Sequence, residues 1–201
     1  MRIDAIRRTL AKLGKEPGAI DDGPRAAVAA ILRESGHADG TELFFIRRAE
    51  HPQDPWSGHI AFPGGRRDPG DETLLATAIR ETKEEVGIDL GSAELIARLP
   101  DVPAYTRTKR SRMVVAPFVF ALPSTFEFAP IAPNEEVSAT LWVPLAKFAR
   151  GEGKGIFQWP HEGQMLDLPC FRLDPGQHVL WGMTYRMLET MLDALGEPQP
   201  A

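Results

Sequence analysis

The sequence predicts one α/β or α+β domain built around a mixed β-sheet. Its 201 residues suffice for one well-cored domain and are too few for two. Apolar runs of strand length recur along the chain, with few helical stripes between them, and no repeat divides it. We therefore expect one domain over residues 23–196, with an amphipathic helix and linker at 1–22 and a tail at 197–201.

Seven apolar runs predict the strands of this sheet. They are AAVAAIL (26–32), LFFI (43–46), ELIARL (94–99), MVVAPFVFAL (113–122), TLWVPL (140–145), GIFQW (155–159) and MLDLPCF (165–171). Residues 51–65 are dense in Pro and Gly, which predicts a structured loop. A short helix follows the fifth run to about Arg150, and a methionine-rich stripe from Met183 to Leu195 predicts a C-terminal helix that faces the core.

The N-terminal segment also has helical periodicity. Ile3, Ile6, Leu10 and Leu13 recur at helical spacing, and Gly14 is a stop signal. The opposite face of this helix is basic. Three docking surfaces stay open for it: the chain's own domain, a second subunit of a homodimer, or a membrane surface.

Composition narrows the class of protein. The formal net charge is -5, which argues against a general nucleic-acid coat. The one cysteine, Cys170, lies in an apolar run, so a small buried hydrophobe is favoured over a nucleophile, and no disulfide can form within the chain. No apolar stretch approaches the ~20 residues of a membrane span. We expect a cytoplasmic protein.

Residues 73–86 predict a helix with an apolar stripe and a carboxylate face, with Asp71 as its N-cap and Gly87 as its C-cap. Glu81 and Glu85 stand four residues apart, so their Cβ atoms should lie about 5–6 Å from each other. Such a pair is destabilising alone and favourable around a hard divalent cation such as Mg²⁺. A solvated acidic face is the alternative. Two glycines, Gly64 and Gly65, precede the helix and favour a metal site beside a phosphate chain.

These residues resemble a known sequence motif, the Nudix box. The matching positions are Gly65, Glu72, Arg80, Glu81, Glu84, Glu85, Gly87 and Ile88. The sequence departs from the motif at two points. The spacer from Gly65 to Glu72 has six residues instead of five, and Thr82 replaces an aliphatic residue. The longer spacer leaves the role of Glu72 open.

The segment upstream of the box is similar to the coenzyme A diphosphatase branch of that superfamily, with His59 in place of the usual glutamine in "GHIAFPGG". The resemblance spans about residues 24–190. It implies a Nudix fold, an α/β/α sandwich around a mixed sheet. It also implies hydrolysis of a diphosphate linkage to a nucleoside. From coenzyme A the products would be 4′-phosphopantetheine and adenosine 3′,5′-bisphosphate.

On this interpretation Glu81 and Glu85 ligate Mg²⁺ or Mn²⁺, with Glu84 sharing or supporting. Arg80 either holds Glu84 or braces the preceding loop. Glu135 and Glu136 are candidates for the catalytic base, and Glu136 is preferred. An exposed acidic loop is the competing interpretation of both.

Candidate substrate contacts come from four other places. Arg47 and Arg48 end a strand, so only one of them can face the site. A basic loop with Arg107, Lys109, Arg110 and Arg112 suits the 3′-phosphate of coenzyme A or is a solvated turn. His59 packs the loop or contacts substrate, and Gly64 and Gly65 permit a tight backbone there.

Three functions remain open at this stage. The first is a metal-dependent diphosphatase of coenzyme A or acyl-coenzyme A. The second has the same fold and acts on ADP-ribose, NADH or nucleoside triphosphates. The third is a non-catalytic domain that senses a nucleotide.

Overall fold

A computed structural model describes residues 1–17, 23, 25–36, 40–51, 57–105, 110–126, 134–161, 163–174 and 178–196, with the main chain alone at 105 and 110–112. The helices in these ranges are α1 Ile3–Leu10, α2 Leu74–Val86, α3 Leu145–Ala149 and α4 Gly182–Ala194. The strands are β1 Arg25–Glu34, β2 Thr41–Arg48, β3 Ile60–Ala61, β4 Gly64–Arg66, β5 Glu94–Arg98, β6 Val102–Tyr105, β7 Arg110–Ala121, β8 Val137–Pro144, β9 Lys154–His161, β10 Gln164–Arg172 and β11 Val179–Trp181.

The larger of two sheets is mixed. Its strands lie in the order β3-β2-β1-β7-β5, and β4 pairs with β1, β6 with β7 and β8 with β2. The long central strands β1 and β7 run parallel, whereas their other neighbours are antiparallel. A second, antiparallel sheet has the order β11-β10-β9.

Side chains of the central strands alternate between two cores. Ala29 and Ile31 of β1 face one core, and Ala30 and Leu32 face the other, as the two-residue period of a strand requires. Helix α2 covers the first core, and α1, α3 and α4 contribute to the second. Both faces of the sheet are therefore covered, and the expected α/β/α sandwich is confirmed.

Helix α1 docks on its own domain. Ile3, Ile6 and Leu10 are buried in the second core, although Leu13 stays exposed. Met1 C=O accepts a hydrogen bond from the Thr41 N–H at 3.0 Å, which anchors the chain start to β2. Of the three docking surfaces left open by the sequence, the structure therefore uses the first. No helix of the described ranges has the length and apolar character that crossing a membrane requires.

Local structure departs from the sequence prediction at short elements. The predicted loop over 51–65 contains β3 and β4, and its residues 52–56 lie outside the described ranges. Strands β6 and β11, of four and three residues, are also absent from the sequence prediction. Such short strands are held by pairing with longer neighbours, which no local pattern records. Cys170 is fully buried, as expected of a small hydrophobe.

Candidate active site

The N-terminus of α2 is capped by Thr73, not by Asp71 as predicted. The Thr73 hydroxyl accepts a hydrogen bond from the Ala76 N–H at 3.1 Å. At the other end Gly87 has the left-handed conformation, with φ of 73°, so the predicted C-cap is correct. Asp71 does not cap the helix, because its carboxylate binds another partner.

That partner is Arg80. Its Nε and Nη2 atoms donate to the two oxygens of Asp71 at 3.0 and 2.8 Å, a bidentate pair. Asp71 also accepts from the Thr77 hydroxyl and from the Asp68 N–H, both at 2.9 Å. The hydrogen bond from Arg80 is the main reason that the pKa of the Asp71 carboxyl is lowered to about 2, against the opposing effect of burial.

The same guanidinium joins the loop to the helix. Arg80 Nη1 donates to Glu81 Oε1 and to Glu84 Oε2, each at 2.9 Å, and Nη2 donates to the Arg66 carbonyl at 3.1 Å. Both roles considered for Arg80 are therefore present: it holds Glu84 and it braces the loop. Its ion pairs, first with Asp71, raise its pKa, so it stays a cation.

Glu72, the residue that matches the box by spacing from Arg80, is exposed. Asp71 instead binds the box arginine from inside the loop. Counted from Gly65, five residues (66–70) lead to Asp71, whereas Glu72 matches the box only by its spacing from Arg80. The motif alone does not reveal this exchange.

Glu85 is the most deeply buried carboxylate of the site, with 2% of its surface exposed. Its Oε2 accepts a hydrogen bond from the Gly64 N–H at 2.8 Å, and its Oε1 lies 3.9 Å from Arg48 Nη1. Burial raises its pKa to about 7, the Gly64 N–H and Arg48 oppose that rise, and the charges of Glu81 and Glu136 add to it. Glu85 therefore lies near two other carboxylates, those of Glu81 and Glu136.

Glu81 stands over Gly65. A Cβ atom at position 65 would lie 2.4 Å from Glu81 Oε2, so only glycine lets the carboxylate come this close. At Gly64 a Cβ would lie 2.2 Å from the Ala27 carbonyl, and φ is 143°. Burial raises the pKa of Glu81, Arg80 lowers it, and the charges of Glu84 and Glu136 raise it further.

A cavity of about 980 Å³ opens above these carboxylates. This volume is at the upper end of the range for small-molecule sites, about 300–1,000 Å³. Seven of the residues that the sequence singled out line it: Arg48, His59, Gly64, Gly65, Glu81, Glu85 and Glu136. They come from β2, the loop before β3, β4, α2 and the loop before β8, so the fold assembles them from five segments.

Two neighbouring arginines take opposite sides, as strand geometry requires. Arg48 lines the cavity, whereas Arg47 donates to the Ser138 hydroxyl at 3.0 Å and to Glu50 at 2.8 Å outside it. Of the basic loop, Arg107 and Lys109 lie outside the described residues, and the side chain of Arg110 is not described. The cavity therefore receives one arginine from the end of β2.

The position of Glu136 follows from main-chain hydrogen bonds. The Asn134 N–H donates to the Glu85 carbonyl at 3.0 Å, and the Ala49 N–H donates to the Glu136 carbonyl at 2.7 Å. These bonds hold the acidic loop against the end of α2 and the end of β2. Glu136 lines the cavity, and its neighbour Glu135 does not.

The structure does not bring Glu84 to the cavity. Its side chain is 56% exposed and is bound to Arg80. Successive residues of a helix point about 100° apart, so Glu84 and Glu85 cannot face one point together. In the described part of the chain, no three His, Cys, Asp or Glu side chains are grouped closely enough to hold a metal ion. The expectation of three preassembled carboxylate ligands is therefore not met.

Glu81 and Glu85 nevertheless fit a hard divalent cation in donor chemistry. Both offer carboxylate oxygens to the same cavity, and each keeps one oxygen away from the hydrogen bonds to Arg80 and Gly64. Burial, and to a smaller extent neighbouring carboxylates, raises the pKa of both groups, and a bound cation would offset both effects. Arg80 on Glu81 and Arg48 near Glu85 supply part of that positive charge in the structure as it stands.

Sequence reasoning missed the aromatic part of the cavity lining. Trp159 and Trp181 line it with His59, and their ring centroids lie 4.7 Å apart. Arg66, His161 and Arg186 also line the cavity. The run GIFQW was interpreted only as a strand, because nothing in it indicates that Trp159 meets a residue 22 positions later. A test for clusters of large aromatic residues near a basic one could have marked this region.

The fold and the site define a hydrolase of phosphorus anhydrides. A family model described as the NUDIX domain matches residues 23–160, and the chain belongs to the Nudix family. It is a Nudix hydrolase, which acts on pyrophosphate bonds of small nucleotide-derived substrates.

Relatives and solved structures agree with this assignment. The chain is 29% identical over 193 residues to the mitochondrial coenzyme A diphosphatase NUDT8 of Mus musculus, covering 94% of this chain and 84% of that protein. It is 31% identical over 181 residues to the protein of the same name from Homo sapiens, covering 88% and 73%. A MutT NUDIX hydrolase from Burkholderia pseudomallei superposes with a TM-score of 0.52 at 20% identity, covering 85% of this chain and 98% of that one, which shows the fold alone.

Proposed function

We propose that this protein is a divalent-metal-dependent diphosphatase of coenzyme A or acyl-coenzyme A. The products would be 4′-phosphopantetheine and adenosine 3′,5′-bisphosphate. The observation that carries the proposal is that Glu81, Glu85 and Glu136 line one cavity, which is large enough for a nucleotide. The names of the NUDT8 relatives support the choice of substrate.

Glu81 and Glu85 would hold Mg²⁺ or Mn²⁺. When bound, such an ion neutralises phosphate oxygens and acidifies coordinated water. The Gly64 N–H fixes one oxygen of Glu85, and Arg80 fixes one oxygen of Glu81, so each carboxylate presents its remaining oxygen in a set direction. Glu84 supports this arrangement through Arg80, which its Oε2 binds outside the cavity.

Glu136 is the proposed base. It lies on the cavity wall near Glu81 and Glu85, close enough to raise the pKa of both. Attack by a water oxygen on one phosphorus forms a P–O bond and breaks the P–O bond to the bridging oxygen. The second phosphate leaves with that oxygen, and Glu136 accepts the proton of the water. Arg48 would pair with the phosphate oxygens, since its guanidinium already faces the cavity.

The test is a substrate panel with products identified by mass. The protein is incubated with Mg²⁺ or Mn²⁺ and coenzyme A, acetyl-coenzyme A, ADP-ribose, NADH and nucleoside triphosphates. We expect coenzyme A or its acetyl ester to give the highest kcat/KM, with 4′-phosphopantetheine (or its acetylated form) as one product. No turnover should occur in EDTA.

Faster turnover of ADP-ribose, NADH or a triphosphate would favour the second candidate function over coenzyme A hydrolysis. The assignment as a hydrolase would remain intact. Equal turnover with and without EDTA would contradict the role of the metal. The cytoplasmic location remains a prediction, because the relatives are named as mitochondrial proteins.

A further inference from the structure

Part of the cavity lining is aromatic. Trp159 comes from β9, Trp181 from β11 and His59 from the loop before β3. The His59 ring lies 4.6 Å from Trp181 and 5.7 Å from Trp159, centroid to centroid. Phe157 backs the wall at 4.9 Å from Trp181. We call His59, Trp159 and Trp181 the aromatic wall.

The rings of the aromatic wall are not completely covered by the protein. All three are only partly buried. Because they line the cavity, their uncovered surface faces the space in which a substrate would lie. Uncovered ring surface beside a ligand cavity is suited to a flat apolar group of the ligand.

The spacing of the rings determines how such a group can bind. A flat ring between Trp159 and Trp181 would need about two van der Waals separations of roughly 3.5–4.0 Å each. The two centroids are only 4.7 Å apart and the planes are inclined by 39°, so no ring fits between them. The pair therefore acts as one surface, and a ligand ring would stack on its cavity side.

We propose that the aromatic wall is the subsite for the adenine ring of the substrate. Base stacking on aromatic side chains is favourable and tolerant of orientation, whereas the flexible pantetheine chain would gain only apolar contact and would lose rotamer freedom. Ring-free apolar surface for that chain is available elsewhere in the cavity, at the partly exposed Met113, Leu168 and Met183. The carboxylate end would then hold the diphosphate.

This inference rests on the proposed function only in that the substrate carries adenine, which is true of coenzyme A, ADP-ribose, NADH and ATP alike. Nucleotide fragments therefore test it without turnover. AMP, adenosine 3′,5′-bisphosphate and 4′-phosphopantetheine are titrated into the protein with Mg²⁺ by calorimetry. The proteins compared are wild type, Trp159→Leu, Trp159→Phe and Trp181→Leu.

Trp142→Leu is the matched control. Trp142 packs on Phe44 and under the Arg33 guanidinium and does not line the cavity. Thermal unfolding of each variant shows whether it is folded. For the Trp159→Leu and Trp181→Leu proteins we expect the Kd of both adenine nucleotides to rise roughly 5- to 100-fold. The Trp159→Phe and Trp142→Leu proteins should stay close to wild type, and the Kd of 4′-phosphopantetheine should not change.

Three results would overturn the proposal. They are an unchanged Kd for AMP in both leucine variants, a rise for 4′-phosphopantetheine instead of AMP, and a wild-type protein that binds neither adenine nucleotide at millimolar concentration. If coenzyme A is not hydrolysed but AMP binds through Trp159, the proposed function fails while the adenine subsite stands.

Discussion

The two ends of the cavity are built in different ways. The carboxylate end comes from one continuous stretch, residues 64–85, with Glu136 added by a loop. The aromatic wall combines residue 59 with residues 159 and 181, from three separate elements. The carboxylate end is charged, and its groups are held by hydrogen bonds from Arg80 and Gly64. The aromatic wall is held by ring packing.

The two ends therefore differ in how far the sequence predicts them. Helix geometry by itself places Glu81 and Glu85 on one side of α2, because residues four apart are neighbours on a helix. The aromatic wall exists only because the small sheet β9–β11 packs beside β3. Catalysis would thus depend on the carboxylate end and substrate specificity on the aromatic wall. Mutations at one of them should leave the contribution of the other unchanged.

The largest effect is expected from the carboxylates. Glu81→Gln and Glu85→Gln should each lower kcat at least about 100-fold, because each removes a ligand charge that stabilises the transition state through the metal. The Kd for AMP should rise little, since the aromatic wall is intact. Glu72→Gln is the control, as Glu72 is exposed in the first part of the same segment. Full activity in both variants would refute the metal assignment.

A smaller effect, on stability, is expected at the Asp71–Arg80 pair. Asp71→Asn leaves Arg80 without its bidentate partner, and the free energy of unfolding should fall by ~3 kcal/mol, as for other buried pairs that lose one member. Urea unfolding measures this change. Glu72→Gln should alter stability by less than about 0.5 kcal/mol. A larger loss of stability in Glu72→Gln than in Asp71→Asn would mean that Glu72, not Asp71, is the partner of Arg80 in solution.

The smallest of the three effects depends on pH in protein freed of metal by EDTA. Glu85 has a pKa of about 7 when folded, against 4.5 for an unperturbed glutamate. Between these values the folded state binds more protons than the unfolded state, so stability falls as pH rises from about 4.5 to 7. The total loss is on the order of 3 kcal/mol or less, at about 1.4 kcal/mol per pKa unit.

Glu85→Gln should remove this fall, and Mg²⁺ should reverse it at pH 8 in the wild type. The Asp71 pKa, lowered from 3.8 to about 2, acts in the other direction: its stabilisation is present above pH 3.8 and is lost below it, outside this window. Unfolding in urea across pH 4–8, with and without Mg²⁺, measures the effect of Glu85. A fall of the same size in Glu85→Gln would assign the effect to another group.

Much of the candidate site could be predicted from the sequence. The limits of α2, its C-cap at Gly87, the pairing of Glu81 with Glu85 and the placement of only one of Arg47 and Arg48 in the cavity follow from local periodicity. The N-cap prediction failed, because both Asp71 and Thr73 are good caps by type and only the contact of Asp71 with Arg80 distinguishes them. Glu84 was placed with its neighbours by the motif, although helix geometry separates it from Glu85.

The helical period, the C-cap and the carboxylate spacing of α2 follow from the sequence alone, because these depend on backbone geometry within a few turns. Only the tertiary structure decided that Asp71 binds Arg80, that Glu136 and not Glu135 lines the cavity, and that Trp159 meets Trp181. Those contacts join residues whose distance is set by the packing of whole sheets and helices. No local spacing encodes them, since many arrangements of the same elements would satisfy the same periodicity.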